Sequence, residues 1–579
     1  MPRLWPVVLL AVPACTRPQA VGPAPPGAPA AAVVTLPPGT RLRIPPVTVV
    51  GTAQDGDVEV ISGLLREALR LSARLDFAAG IEDCGGGVPE VHCHLDREGG
   101  TLTTTLVESG RAPLALAAAA FTDATAAGAI VRLAAATRAA LGDPAEPTTA
   151  AAVYSESRAC VLATERALAA AVEGELEAAR SHLADARRAD AGCTVTLLAT
   201  AELDLRKNDF ARAVRVAQEA LQLENRCAPT TRHRLARTLL LARAATTPGE
   251  APTFDRQLLA LGEAAQRERP HDPHGAWTRA QALALLGRFS EAEPILAALR
   301  ERWPRLAQVP YHHALALLGC GRAPEALAAL DQAQAAHSPL QTAVPRAIAL
   351  WGAGRHEDLK RFLAELAERD DVRTSPLLHH VRRMQAAHAI LTDRGADAAQ
   401  LLLADLEWLR QRTSRLAQHA DDLASTGHVL VLLGRAADVT RAVDAFLRLP
   451  HVDEAARRAL TFAGGLAAVA TTRAPAEIAE ASLGKEGASA WTYALRAAAH
   501  RARGELAEET RALLQAAQLD RSPLLRASLA RVLRTAGEEE RARELLAALR
   551  TELLRLDLRR LKDHPLVDPA HALALLATR

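Results

Sequence analysis

Few of the 579 residues in this chain are of types that do chemistry, and they fall in small groups. Cys84 and Cys93 stand either side of Gly85, Gly86 and Gly87, with His92 and His94 flanking the second cysteine. Imidazole with thiolate suits zinc, and two histidines two apart share one face of a strand. If the chain is exported, the same cysteines could pair as a disulfide instead, and the third reading is two free thiols beside a solvated histidine face. Cys160, Cys193 and Cys227 recur at intervals of 33 and 34, as equivalent positions of neighbouring repeats would. Helices packed side by side lie about 8–10 Å apart, beyond the roughly 7 Å Cα reach of a disulfide, so no bridge is expected among them. His312-His313 and His379-His380 are adjacent, about 100° apart around a helix, and cannot grip one ion together. They read as solvated or partly packed histidines.

The chain contains no Gly-x-x-x-x-Gly-Lys-Ser/Thr loop, no His-Glu-x-x-His, no Gly-x-Ser-x-Gly and no Cys-x-x-Cys. The expectation is a non-catalytic protein with no cofactor and no metal. Lys and Arg number 69 against 67 Asp and Glu, a net charge of +2, so the basic stripe that a nucleic-acid partner requires is missing.

The elements that position these residues begin at the N-terminus. Arg3, the apolar run Leu4 to Val12 and the small residues before Cys15 have the layout of a secretory signal. Val12-Pro13-Ala14-Cys15 resembles the lipobox of bacterial lipoproteins, which implies lipid attachment at Cys15 after cleavage. Thr16 stands where Asp would implicate inner-membrane retention, so the resemblance favours the outer membrane. Residues 16–46, rich in Pro, Ala and Gly, read as an extended tether.

Residues 47–142 read as a small α/β domain. Val47 to Val50 is β-rich, Asp57 to Leu75 has helical apolar spacing, and Glu90 to Leu95 and Thr101 to Val107 alternate around a Gly-Gly turn. With Leu114 to Phe121 as a strand and Ala124 to Leu141 as a helix, the order is β-α-β-β-β-α. That layout resembles the amino-terminal domain of TolB and the related modules that precede helical repeats in bacterial cyclases, kinases and transcription regulators. A linker is expected at 143–155.

Beyond it, a short turn returns. Gly287-Arg288-Phe289-Ser290-Glu291-Ala292 recurs as Gly321-Arg322-Ala323-Pro324-Glu325-Ala326, with looser copies at Gly174, Asn208, Gly354, Gly434, Gly504 and Gly537. The steps 174 to 208 and 287 to 321 are 34 residues; 321 to 354 and 504 to 537 are 33. Seven residues before the turn stand Ala167, Ala201, Ala280, Ala314, Ala347, Gly427, Ala497 and Ala530, all small; nine after it every residue is apolar. Glycine at φ > 0 ends one helix and opens the next, small residues let the two helices cross closely, and Pro304, Pro339 and Pro523 close units. This pattern resembles the tetratricopeptide repeat, though units near Gly249 and Gly395 match poorly. The resemblance implies a right-handed α-solenoid of about ten to twelve helix pairs over 156–579, closed by a C-terminal capping helix. The expected fold class is therefore mainly α, a TPR-type solenoid behind a small α/β domain.

In such a solenoid, residues ten, six and three before the turn line the concave face: Trp277, Gln281 and Ala284; Tyr311, Leu315 and Leu318; Val344, Ile348 and Trp351. Three large aromatics in consecutive units, from only six Trp and three Tyr, suit a groove that holds a protein or peptide. The alternative is that they pack between helices. The functional expectation is a lipid-anchored scaffold of the bacterial envelope, touching the membrane through its N-terminal lipid only. The alternative is a cytoplasmic signalling or regulatory protein without its catalytic domain.

Overall fold

The computed structural model describes residues 41–44, 47–50, 57–69, 76–79, 90–96, 101–107, 112–120, 126–141, 143 and 154–578, apart from gaps at 174, 224–225, 271, 304–307, 334–338, 374–376, 412–418, 451, 473–488, 521 and 559–560. Two compact units divide the chain: residues 1–282 with 299–306, and residues 283–298 with 307–579.

The N-terminal unit opens with a six-stranded sheet ordered β3-β1-β4-β5-β6, with β2 also beside β4. Its strands are β1 (Arg41–Ile44), β2 (Thr48–Val50), β3 (Asp76–Ala79), β4 (Glu90–Asp96), β5 (Thr101–Val107) and β6 (Leu114–Ala120). Alternation in β4 and β5 does what it predicts: Val91, Cys93 and Leu95 face inward opposite Leu106, Thr104 and Leu102, while His92 and His94 lie on the outer face. Helices α1 (Asp57–Leu69) and α2 (Ala126–Ala140) cover the inner face. The buried polar pair there is satisfied internally, Thr104 Oγ1 lying 2.7 Å from Thr137 Oγ1, which in turn donates to the Leu133 carbonyl.

Two strands exceed the sequence expectation. β1 lies inside the stretch assigned to the tether and pairs in parallel with β3, which the periodicity did not mark. Arg41-Leu-Arg-Ile44 is a four-residue alternation stopped by Pro45-Pro46, too short to stand out from its Pro-rich surroundings. The expected linker is likewise more than a join. Tyr154 and Ser155 are fully buried, Tyr154 Oη donating to Glu165 at 2.9 Å and Ser155 Oγ to Asp190 at 2.7 Å. One apolar core runs from Leu42 through Leu141 to Val161 and Val195, so the sheet domain and the first helix pairs fold around a shared interior.

Among the described residues the remainder forms ten complete antiparallel helix pairs, from Arg158–Glu173 with Leu176–Ala189 to Pro523–Thr535 with Glu539–Leu554, plus a one-turn helix Asp370–Arg373, a single helix Glu454–Thr471 and a last helix Pro569–Leu576. This is the TPR-type array the turn spacing implies. Gly287, Gly321, Gly354, Gly434, Gly504 and Gly537 have φ of 70–81°, and Asn208 has φ 60°; Gly174 lies outside the described residues. At each turn the N–H after the αL residue bonds a carbonyl five back, as Arg288 N does to Leu283 O at 2.8 Å, closing the Schellman arrangement that satisfies the helix end. The residues seven before the turn are buried, Ala201, Ala280, Ala314, Ala347 and Ala530 completely, and the apolar residues nine after it fill the space this leaves. Pro339 and Pro523 begin the following helix, where proline's missing N–H has no partner to lose.

One of the two poorly matching units, that near Gly395, has a specific cause. Its turn residue is Asp393, φ 59°, and Gly395 is already the first residue of the helix Gly395–Arg410. Counted from Asp393, the small residue seven before is Ala386 and the apolar one nine after is Leu402, both fully buried. Aspartate tolerates αL because its short side chain bonds locally.

Exchanging the residue types at two turns tests this geometry. A Cβ at Gly321 would meet nothing within 4 Å, so Gly321→Ala costs only the αL strain of an L-residue, about 1 kcal/mol, and Asp393→Gly relieves a similar strain. Urea unfolding should show a lower midpoint for Gly321→Ala and a higher one for Asp393→Gly. Movement of both in the same direction contradicts the assignment of Asp393 as a turn.

Candidate functional site

The residues expected to line a groove separate by burial. Trp277 is buried, with the Arg237 guanidinium carbon 3.8 Å from its ring centre, and Arg237 Nε donates to Gln281 at 3.0 Å. Burial pushes Arg237 down to about 10, and Arg234 on the same helix pairs with Glu202 at 2.8 Å. Trp277 and Gln281 are thus engaged with the neighbouring first helix, Pro229–Thr246. Ala284 and Leu315 are buried too, whereas Tyr311, Leu318 and Trp351 are only partly buried, Tyr311 enough that desolvation raises its phenol. The Trp351 ring lies 4.5 Å from that of His356 and 6.1 Å from that of His388.

The cysteines take different places. Cys15 and Cys84 lie outside the described residues. Cys93 is 1 % exposed inside the sheet domain, and burial pushes its thiol up to about 12. It points away from His92 and His94, and His92 Nε2 lies 2.7 Å from Glu90 instead. Strand alternation therefore separates the thiol from both imidazoles. Cys160, Cys193 and Cys227 are free and buried. A hydrogen bond from Cys193 draws the Cys160 thiol down against the opposing effect of burial.

The densest polar chemistry lies in the C-terminal unit, around His379. This side chain is 1 % exposed on the helix Leu377–Leu391. Its Nδ1 lies 2.8 and 3.0 Å from the two oxygens of Asp405, itself fully buried on Gly395–Arg410, and its Nε2 lies 3.1 Å from Asp422 Oδ2. His419 Nδ1 reaches the same oxygen at 3.3 Å. Arg383, one turn along from His379, lies 3.3 Å from Asp422 Oδ1, donates to Thr426 at 2.9 Å and to Asp568 at 2.9 Å. Asp568 in turn holds His571 Nδ1 at 2.8 Å. Burial works against both charges of the His379 and Asp422 pair, yet their hydrogen bonds outweigh it: the imidazole is raised and the Asp422 carboxyl is held well below the usual range.

Sequence reasoning treated His379 only as half of an adjacent pair and read it as solvated or partly packed; its partners stand 26, 43 and 40 residues away. One local signal was present. His419 and Asp422 are spaced i, i+3 at the start of the helix Ala420–Leu432, which places both on one face.

The network also anchors the chain's end. The helix Pro569–Leu576 packs against Leu377–Leu391, Ala420–Leu432 and Pro523–Thr535, the first helices of three different pairs. A capping role over the last apolar face was expected of it. It also reaches back along the first-helix face, where Arg383 and Asp568 join residues 185 apart in sequence. Asp568 also caps its own helix by accepting from Ala570 N at 2.9 Å.

No family model matches the chain and no curated protein matches it. Among solved structures, a thermophilic TPR protein of Thermus thermophilus is 21% identical with a TM-score of 0.28, covering 33% of this chain and 97% of that one. The human IFIT1 dimer with m7Gppp-AAAA is 14% identical with a TM-score of 0.33, covering 68% of this chain and 90% of that one. The APC/C hetero-tetramer Cut9-Hcn1 is 13% identical with a TM-score of 0.27, covering 68% and 81%. What establishes the repeat in this chain is its own set of αL turns and the buried positions counted from them.

Truncating one member of a buried ion pair strands the other, at a cost of about 3–5 kcal/mol. Arg383→Met should therefore lower the unfolding free energy by about that much, and Asp568→Asn by less. Burial alone would raise the Asp568 carboxyl, but Arg383 and His571 outweigh it and hold it below its ordinary 3.8. A carboxylate depressed in the folded state stabilises above its unfolded value and loses that contribution as pH falls through the folded one. The gap between the unfolding midpoints of the wild type and Asp568→Asn, measured against pH, should begin to narrow below pH about 4 and close only as pH falls through the lowered folded-state value. A gap that does not narrow with falling pH contradicts the role given to Asp568.

Proposed function

We propose that this chain is a non-catalytic protein-binding scaffold, held at the bacterial envelope by a lipid on Cys15, that receives a protein or peptide on the first helices Gln308–Gly319 and Pro339–Gly352. The observation that carries the reading is the division of the first-helix face in the C-terminal unit. From Leu377 onward three first helices are covered by the chain's own end, while Tyr311, Leu318 and Trp351 upstream keep part of their surface exposed. Aromatic side chains with an apolar body and a polar edge are effective anchors for a partner. Trp277, Gln281, Ala284 and Leu315 serve as packing. Attachment is assigned to the N-terminal lipid; no helix among the described residues is long and apolar enough to cross a membrane. The charged start, the apolar run and Cys15 support that assignment, as does the Pro- and Ala-rich stretch that follows.

Crosslinked pull-down with the mature full chain tests the binding face. Tyr311→Ala with Trp351→Ala should lose the captured partner while circular dichroism stays unchanged, and Trp277→Ala should instead lower stability by about 3–5 kcal/mol. Full capture by the double variant overturns the proposed face. Mass spectrometry of the N-terminus tests the anchor: a diacylglyceryl-modified Cys15 supports it, and an intact Met1 returns the chain to the cytoplasmic, regulatory reading.

A further inference from the structure

We propose that His379, His419 and Asp422 form a binding site for a divalent transition metal of the zinc class. Their ligand atoms all lie within 4.8 Å of one another. His379 Nε2 and His419 Nδ1 lie 3.1 and 3.3 Å from Asp422 Oδ2. A tetrahedral zinc ion with bonds of about 2.0–2.1 Å separates neighbouring ligand atoms by about 3.3 Å, so these spacings are already the edges of such a polyhedron.

Hydrogen-bond accounting points the same way. Both oxygens of fully buried Asp405 flank His379 Nδ1, so that nitrogen carries the ring hydrogen and Nε2 is left with its lone pair. In the neutral ring that lone pair faces an oxygen of Asp422, and two acceptors so placed require a cation between them. A proton meets this need in the metal-free chain; a metal ion meets it by binding His379, His419 and Asp422 at once. A carboxylate that holds the far nitrogen of a ligating histidine also fixes its tautomer and ring orientation, which is the part Asp405 takes here.

Charge and access fit as well. Among the described residues Asp405, Asp422 and Asp568 face one guanidinium, Arg383, three negative charges against one positive when His379, His419 and His571 are neutral. A divalent cation balances that sum of −2. Asp422 and His419 are 31 and 14 % exposed, so the site is reached from solvent at the Asp422 side, while His379 at 1 % forms its floor.

The test uses the full chain stripped of metal by chelator, titrated with Co(II) and then competed with Zn(II). One tightly bound Co(II) per chain is expected, with the d–d absorption of a tetrahedral nitrogen and oxygen site, displaced by Zn(II). His419→Ala removes a ligand at a partly exposed helix start and should abolish this absorption with circular dichroism unchanged. Asp405→Asn, which touches no metal, should weaken binding about 10- to 100-fold. Absence of a stoichiometric tetrahedral Co(II) signal in the wild type overturns the proposal whatever the variants do, and an undiminished signal in His419→Ala overturns it equally. Either result leaves His379 as a buried imidazolium held between two carboxylates.

Discussion

The structure depends on how closely two helices can approach across a turn. A residue at φ > 0 brings the chain back within three residues, and a fully buried alanine seven positions earlier lets the returning helix press against the first. With so little side-chain volume at the crossing, one leucine per unit, such as Leu296, Leu330 or Leu402, fills the remaining space. This explains how a chain with only 3% aromatic residues builds a long interior. The arginine that follows the turn adds little energy but repeats the local geometry: Arg288, Arg322 and Arg355 each pair with an acid three residues on, at exposed positions where solvent screens the pair.

Close packing of small residues makes a uniform array, and the places where it is not uniform are the informative ones. Gly262 is one: a Cβ there would stand 2.5 Å from the backbone nitrogen of Arg279, so adjacent helices cross tighter than alanine allows. The His379 network is the other. Its charged groups are desolvated, and such a set is retained only where nearly every member is paired, because a half-satisfied one costs more than an apolar core. Here the pairing extends to Asp568, so the chain's end is selected by a polar register as well as by the apolar face of Pro569–Leu576.

What was legible in the sequence was local. The turn glycines, the small and apolar positions around them and the β4–β5 hairpin are all signals within about ten residues, and they appear where the spacing puts them. β1 and β3 were missed because four-residue parallel strands take their stability from each other and from the sheet, not from their own pattern. The turn at Asp393 was missed because glycine stood as the marker of the turn, although αL is a conformation and not a residue type. The network was missed for a deeper reason. Arg383 and Asp568 are brought together only by the accumulated stacking of the pairs between them, and no periodicity in either segment encodes the meeting.

That meeting is the central structural claim: the end of the chain is an integral part of the first-helix face of the C-terminal unit. Hydrogen–deuterium exchange of the full chain at neutral pH, read on peptides covering Pro569–Leu576 and Leu377–Leu391, tests it most directly. Both segments should exchange slowly and open together, since they share Arg383 and Asp568. Rapid, unprotected exchange of Pro569–Leu576 beside a fully protected Leu377–Leu391 would contradict it.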